Sequence, residues 1–147
     1  MLNTIKSAWN WIGLEPAEIV EQNAFGNLVV CATDGHFWRI CPEELSCRVI
    51  ATDSTGYELL RASEEFGNDW EMNELIALAA RKFGPMPPDR CYCLKMPGVF
   101  GGKYAEDNLG TITRAELVAF AGDMARQIKD FPDGSRGKLK VVWSEPN

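Results

Sequence analysis

Histidine is almost absent: His36 is the single one in 147 residues. That closes off multi-histidine metal centres and leaves almost nothing from which to build a Ser-His-Asp triad. The H-E-x-x-H, G-x-S-x-G and EF-hand patterns are missing as well. No apolar run approaches the ~18 residues of a membrane-spanning helix. The opening Met1–Trp11 has no basic stretch followed by an apolar run and a small-residue cleavage site, so a cytoplasmic protein is expected. Positive charge is in short supply too, with 15 Lys plus Arg against 21 Asp plus Glu and a net charge of −6. A direct nucleic-acid or anionic-membrane partner would select for the opposite balance. Repeats, low-complexity tracts and linkers are lacking, which leaves one domain over residues 1–147. A globular chain of this length buries roughly 70% of its unfolded surface and needs neither disulfides nor a metal for stability. No cofactor is expected.

The five cysteines, Cys31, Cys41, Cys47, Cys91 and Cys93, contain no C-x-x-C pair. An odd number without an export signal argues against a disulfide framework and for reduced, mostly buried thiols. Cys91 and Cys93 should share one strand face. His36 lies five residues from both Cys31 and Cys41, the spacing of a conceivable Cys/His nucleophilic pair. It also follows Asp34-Gly35, which makes an exposed turn residue the simpler expectation.

Periodicity predicts an α+β fold, an antiparallel sheet with helices on one face or along its edges. Ile5, Ala8, Trp9 and Ile12 fall at helical spacing, with Gly13 as a stop. A turn-rich passage leads to Phe25-Gly26-Asn27. Strands over 28–33, 36–41 and 47–51 then form a three-stranded meander, its first turn made by Asp34-Gly35 and its second by Pro42–Leu45. Thr55–Glu58 has capping-box spacing and opens a helix containing Leu59, Leu60, Ala62 and Phe66, broken at Gly67-Asn68. A second cap at Asn68–Glu71 starts a helix over about 69–83. A strand follows at 90–96, then a glycine-rich loop over 97–111. Thr113–Glu116 caps a helix running to about 130, and after a turn at Pro132-Asp133-Gly134 a final strand lies within 137–143.

The stretch Gly98–Tyr104 invites comparison with a phosphate-binding loop, which needs four residues between its glycines and Ser or Thr after the lysine. Here two residues separate Gly98 from Gly101, and Tyr104 follows Lys103. A tight glycine turn accounts for it better. Paired acids occur at Glu43-Glu44, Glu64-Glu65 and Glu106-Asp107, but neighbours on a helix diverge by about 100° and do not converge on one substrate. By elimination the chain is non-catalytic.

Several strings taken in order resemble the immunity proteins of bacterial type VI secretion systems, Tdi type. They are Trp9–Gly13, Phe25–Leu28, Asp34-Gly35 with Trp38–Ile40 and Pro42–Leu45, Phe66–Trp70, Pro97–Gly102 with Asn108, and Gly122–Ala125 with Gln127-Ile128. The resemblance spans residues 9 to about 141. It implies an α+β protein that uses no cofactor and neutralises a cognate effector toxin by binding it, the namesake branch protecting against DNases. It transfers neither catalytic residues nor the toxin's identity.

Charge is distributed to suit that role. Residues 1–52 sum to −3, 53–75 to −6 and 76–147 to +3. Enzymes that handle phosphate present positive surfaces, so an acidic inhibitor can be steered onto them. Glu64, Glu65, Asp69, Glu71 and Glu74 are the expected contact residues, alongside a solvated helical face as the simpler account. Trp70 fits either the core or an interfacial anchor. A specific interface engages about 20–30 residues a side, so Asp34 and His36 of the hairpin, or Lys103, Tyr104, Glu106 and Asp107 of the loop, should share the contact. Two other functions fit the composition: a small nucleotide-binding module or enzyme using the 97–111 loop, and a secretion-locus adaptor. The oligomeric state is not encoded in any of these features.

Overall fold

A computed structural model describes residues 1–130, so the turn at Pro132-Asp133-Gly134 and the strand expected within 137–143 lie outside the described residues. The fold is α+β, as the periodicity predicts. Helix α1 (Leu2–Trp9) buries Ile5 and Trp9, four residues apart on one face, and a single 3₁₀ turn ends at Gly13 with φ +94°. The main sheet has four antiparallel strands in chain order: β1 (Pro16–Gln22), β2 (Leu28–Ala32), β3 (Phe37–Cys41) and β4 (Ser46–Ala51).

Strand β1 occupies what the periodicity left as a turn-rich passage. It begins with proline, is polar at Glu18 and Glu21, and pairs with β2 through two register irregularities. A broken edge strand of this kind has no clean alternation to find. The β2–β3 turn forms at Asp34-Gly35, where Gly35 takes φ +88°.

Both faces of the sheet are covered, where helices on one face or along its edges were expected. Leu28, Val30, Ala32 and Ile40 face α1 and helix α5 (Arg114–Ile128), meeting Ile5, Trp9, Val118, Ala121 and Met124. Val29, Phe37 and Ala51 face the opposite side, against Tyr57 of α2 (Ser54–Ala62) and Phe66 and Trp70 of α3 (Glu64–Glu71). Helix α4 (Asn73–Phe83) packs instead on a separate two-stranded sheet, β5 (Arg90–Leu94) with β6 (Leu109–Thr113). Strand β6 was hidden inside the glycine-rich stretch.

The helix boundaries over 53–83 differ from expectation. Asp53, not Thr55, caps α2 by accepting from the Gly56 N–H at 2.7 Å. The break falls at Ser63, whose Oγ caps α3 by accepting from Phe66 N at 3.2 Å. Gly67 and Asn68 lie inside α3. Phe66 and Trp70 must both face the sheet, and burying two aromatics outweighs the ~1 kcal/mol that glycine costs a helix. The second break comes at Met72, with φ +47°, rather than at Asn68. Asn23 holds that corner, donating from Nδ2 to the Trp70 carbonyl at 3.0 Å. Helix α5 starts as its capping box predicts: Thr113 Oγ accepts from Glu116 N at 3.2 Å and lies 2.8 Å from Glu116 Oε1.

Candidate functional site

An open cleft of about 510 Å³ lies where α2 and α3 leave the end of the β3–β4 ribbon uncovered. Its floor is Arg39, Cys41, Ser46 and Arg48, its helix wall carries Leu60, Phe66, Asp69 and Met72, and Glu43, Glu44 and Tyr104 close the far side. The acidic helices and the glycine-rich loop therefore meet in one site.

Arg39 is the organising residue. Its guanidinium donates to Asp69 and, at 3.0 Å and 3.3 Å, to Asn27 Oδ1. It also lies 5.2 Å from the Trp70 ring centroid and 5.7 Å from that of Phe66. Asn27 is fully buried and donates from Nδ2 to both Glu43 carboxylate oxygens at 2.9 Å. Burial pushes the Glu43 carboxyl above its ordinary range, and the Asn27 hydrogen bond pulls against that. Glu44 accepts a hydrogen bond from the Tyr104 hydroxyl, which pins the loop over the cleft. Desolvation, with Glu44 second, raises the Tyr104 phenol.

The loop itself is a fold-defining turn. Gly101 takes φ +89°, and a Cβ on Gly102 would sit 1.8 Å from the Met96 carbonyl oxygen. Asn108 clasps it by accepting from Met96 N at 2.9 Å and donating to the Met96 and Lys103 carbonyls at 3.0 Å and 2.8 Å.

The expected contact residues separate into three groups. Asp69 and Tyr104 line the cleft. Glu64, Glu65, Glu71 and Glu74 are exposed on α3 and the first turn of α4, making an acidic rim. Trp70 is 5% exposed and stacks on Phe66 at 5.9 Å, so the core alternative describes it and the free surface does not. Lys103, Glu106 and Asp107 are exposed on the loop beyond Tyr104, and the Glu106 carbonyl accepts from Lys82 Nζ at 2.9 Å. Asp34 and His36 face each other at 2.7 Å in the β2–β3 turn and take no part in lining the cleft. The His36 backbone N–H, then its ring, hold the Asp34 carboxyl below its usual range.

No Cys/His pair forms, because the partner of His36 is Asp34. The Cys41 thiol is pushed up by burial and then by Glu43, the reverse of an activated nucleophile. Cys47 and Cys91 are raised to about 12 by burial. None of the five cysteines is in a disulfide; Cys91 and Cys93 are buried side by side against Ile112 and Leu117, while Cys31, Cys41 and Cys47 are half-buried. Among the described residues no His, Cys, Asp and Glu cluster has the makings of a metal site.

The sequence reasoning missed Arg39, Arg48 and Asn27. Arginines at matching positions of two paired strands would have been the signal for the first two. Leu59, expected among the helix's apolar positions, is 72% exposed on α2.

Comparison with known families settles the class. Residues 52–125, half of the chain, match the family described as type VI secretion immunity protein Tdi1, C-terminal. The chain belongs to that family. A comparison with curated proteins finds no significant match. The Tdi1 match takes in α2 to α4, the loop and α5 as far as Ala125, including Phe66–Trp70, Pro97–Gly102, Asn108 and Gly122–Ala125, while the Trp9, Phe25, Asp34 and Gln127-Ile128 strings lie outside it. Several of these residues now have a structural reason. Gly122 of α5, for example, lets α1 approach so closely that a Cβ there would meet the Ala8 carbonyl oxygen at 2.4 Å. Within the Tdi1 family the role is that of an immunity protein neutralising an effector.

Proposed function

We propose that this immunity protein works by binding alone, docking its cognate effector across the α3 rim and the adjoining cleft so that the effector's substrate-binding face is covered. The observation that carries this reading is the meeting of the acidic helices with Tyr104 in one cleft; the helices and Tyr104 lie within the family-matched span, and the floor from Arg39 to Arg48 lies outside it. The 53–75 segment alone accounts for −6, a charge suited to the positive surface of an effector that attacks nucleic acid or nucleotides. Rim acids of this kind govern the encounter rate, while the cleft supplies the recessed surface on which slow dissociation depends. An interface of ~1,200–2,000 Å² in total needs more than the helix rim, and the loop carrying Lys103, Glu106 and Asp107 extends the same surface. The hairpin residues Asp34 and His36 are secondary candidates on the far end of β3. The inhibitor acts in the cytoplasm, where it meets the incoming effector before the effector meets its target.

Co-expression with the effector encoded beside this chain tests the proposal. The expected result is restored growth and a complex that survives purification. Protection without a complex, or neither, contradicts it.

A further inference from the structure

The cleft holds one side chain that nothing compensates. In the β3–β4 register Arg39 stands directly opposite Arg48 on the face that forms the floor. Like charges in that position repel, with Cβ atoms only ~4.5–5.5 Å apart. Arg39 is answered by Asp69 and Asn27. The Arg48 side chain is exposed and makes no hydrogen bond or ion pair among the described residues. The acids around it are already engaged: Asp69 with Arg39, Glu43 with Asn27, Glu44 with Tyr104. An otherwise acidic face thus carries one uncompensated cation on the cleft floor, whose natural complement is negative.

Resting on the immunity reading, we infer that the Arg39–Arg48 floor receives one acidic side chain, an aspartate or glutamate, projecting from the otherwise basic surface of the effector. Arg48 supplies a planar fork suited to bidentate carboxylate binding, and Arg39 retains N–H groups beyond those it spends on Asn27 and Asp69. The arrangement separates two tasks. The rim attracts basic surfaces in general, whereas the floor accepts only a surface that carries an acid at the matching point. A basic protein without that acid would leave Arg48 desolvated and unpaired, which is how an acidic inhibitor discriminates among basic partners.

The test measures binding of the co-encoded effector to the full chain and to Arg48→Gln, Arg48→Lys and Arg48→Glu, with Arg81→Gln on α4 as a surface control. Arg48→Gln should weaken binding by roughly 30-fold or more, mainly through faster dissociation. Arg48→Lys should fall between that variant and wild type, and the control should stay within about twofold. Binding lost in Arg48→Glu should return when one effector Asp or Glu is replaced by Arg, a rescue that a merely structural role for Arg48 would not give. Free Arg48→Gln and Arg48→Glu should melt at or above the wild-type temperature, since the repulsion with Arg39 is relieved. Wild-type affinity in Arg48→Gln and Arg48→Glu, or lost binding that no single effector acid restores, overturns the inference and leaves the immunity reading standing. A wild-type chain that does not bind the effector overturns both.

Discussion

Replacing Asn27 by alanine tests the network beneath the cleft. Asn27 is fully buried and joins two charged groups, donating to both Glu43 oxygens at 2.9 Å and accepting from Arg39 at 3.0 Å and 3.3 Å. Alanine strips the Glu43 carboxylate, itself 7% exposed, of its amide donor, and a buried charged group left without its partner costs about 2–3 kcal/mol. Arg39 keeps Asp69, so its loss is nearer ~1 kcal/mol. A total of about 3–4 kcal/mol is a large part of the ~5–15 kcal/mol available to a domain. The deficit must also depend on pH. Burial raises Glu43 above its ordinary 4.5, and Asn27 opposes the rise, so the variant's Glu43 lies higher still. An acid whose folded value exceeds its unfolded value binds its proton more tightly when folded. Its penalty is therefore fully present above the folded value and disappears as pH falls toward 4.5. Urea melts at pH 7.5 and pH 5.0 should show the variant's deficit shrinking at the lower pH. An equal deficit at both, or one below about 1 kcal/mol, would refute the role given to Asn27.

Gly122→Ala should destabilise by about 1–3 kcal/mol in thermal melts, because a methyl there meets the α1 backbone, whereas Gly67→Ala, with open space around it inside α3, should stabilise by about 0.5–1 kcal/mol. Native protein should react slowly with thiol reagents at pH 8, given the raised Cys41, Cys47 and Cys91, and denaturation without reductant should expose all five thiols; fewer than five would mean a native disulfide. Reversing Glu64 and Glu65 together, both exposed and outside any ion pair but in the first turn of α3, should lower the melting temperature by only a few degrees through the helix dipole while slowing effector association and flattening its salt dependence. Unchanged association at low salt would make the rim a solvated face only.

The apolar faces of α1 and α5, strands β2 to β4 and the Thr113 capping box were legible because each obeys a single local period or cap. Strand β1 and the α3 boundaries were not. In β1 the edge position removes the need for alternation, and in α3 the sheet's demand for Phe66 and Trp70 overrides a Gly-Asn pair that signals a break when taken alone. The acidic rim could be counted from the sequence, but the cleft could not. It exists because Arg39 and Arg48 are brought opposite by strand register and because Asn27, Glu43 and Tyr104 arrive from three distant segments. The sequence placed Tyr104 among the contact candidates through its loop, yet the packing of that loop against Glu44 in the β3–β4 turn is what sets Tyr104 across the cleft from the acidic helices.

Hydrogen exchange on the chain alone and in complex with its co-encoded effector tests the central claim most directly. Slowed exchange is predicted in α3, in the Ser46–Arg48 end of β4 and in the loop around Tyr104, with the outer surfaces of α1 and α5 unchanged. Protection confined to α1 and α5, with the cleft exchanging as in the free protein, would place the effector on the opposite face and contradict the account.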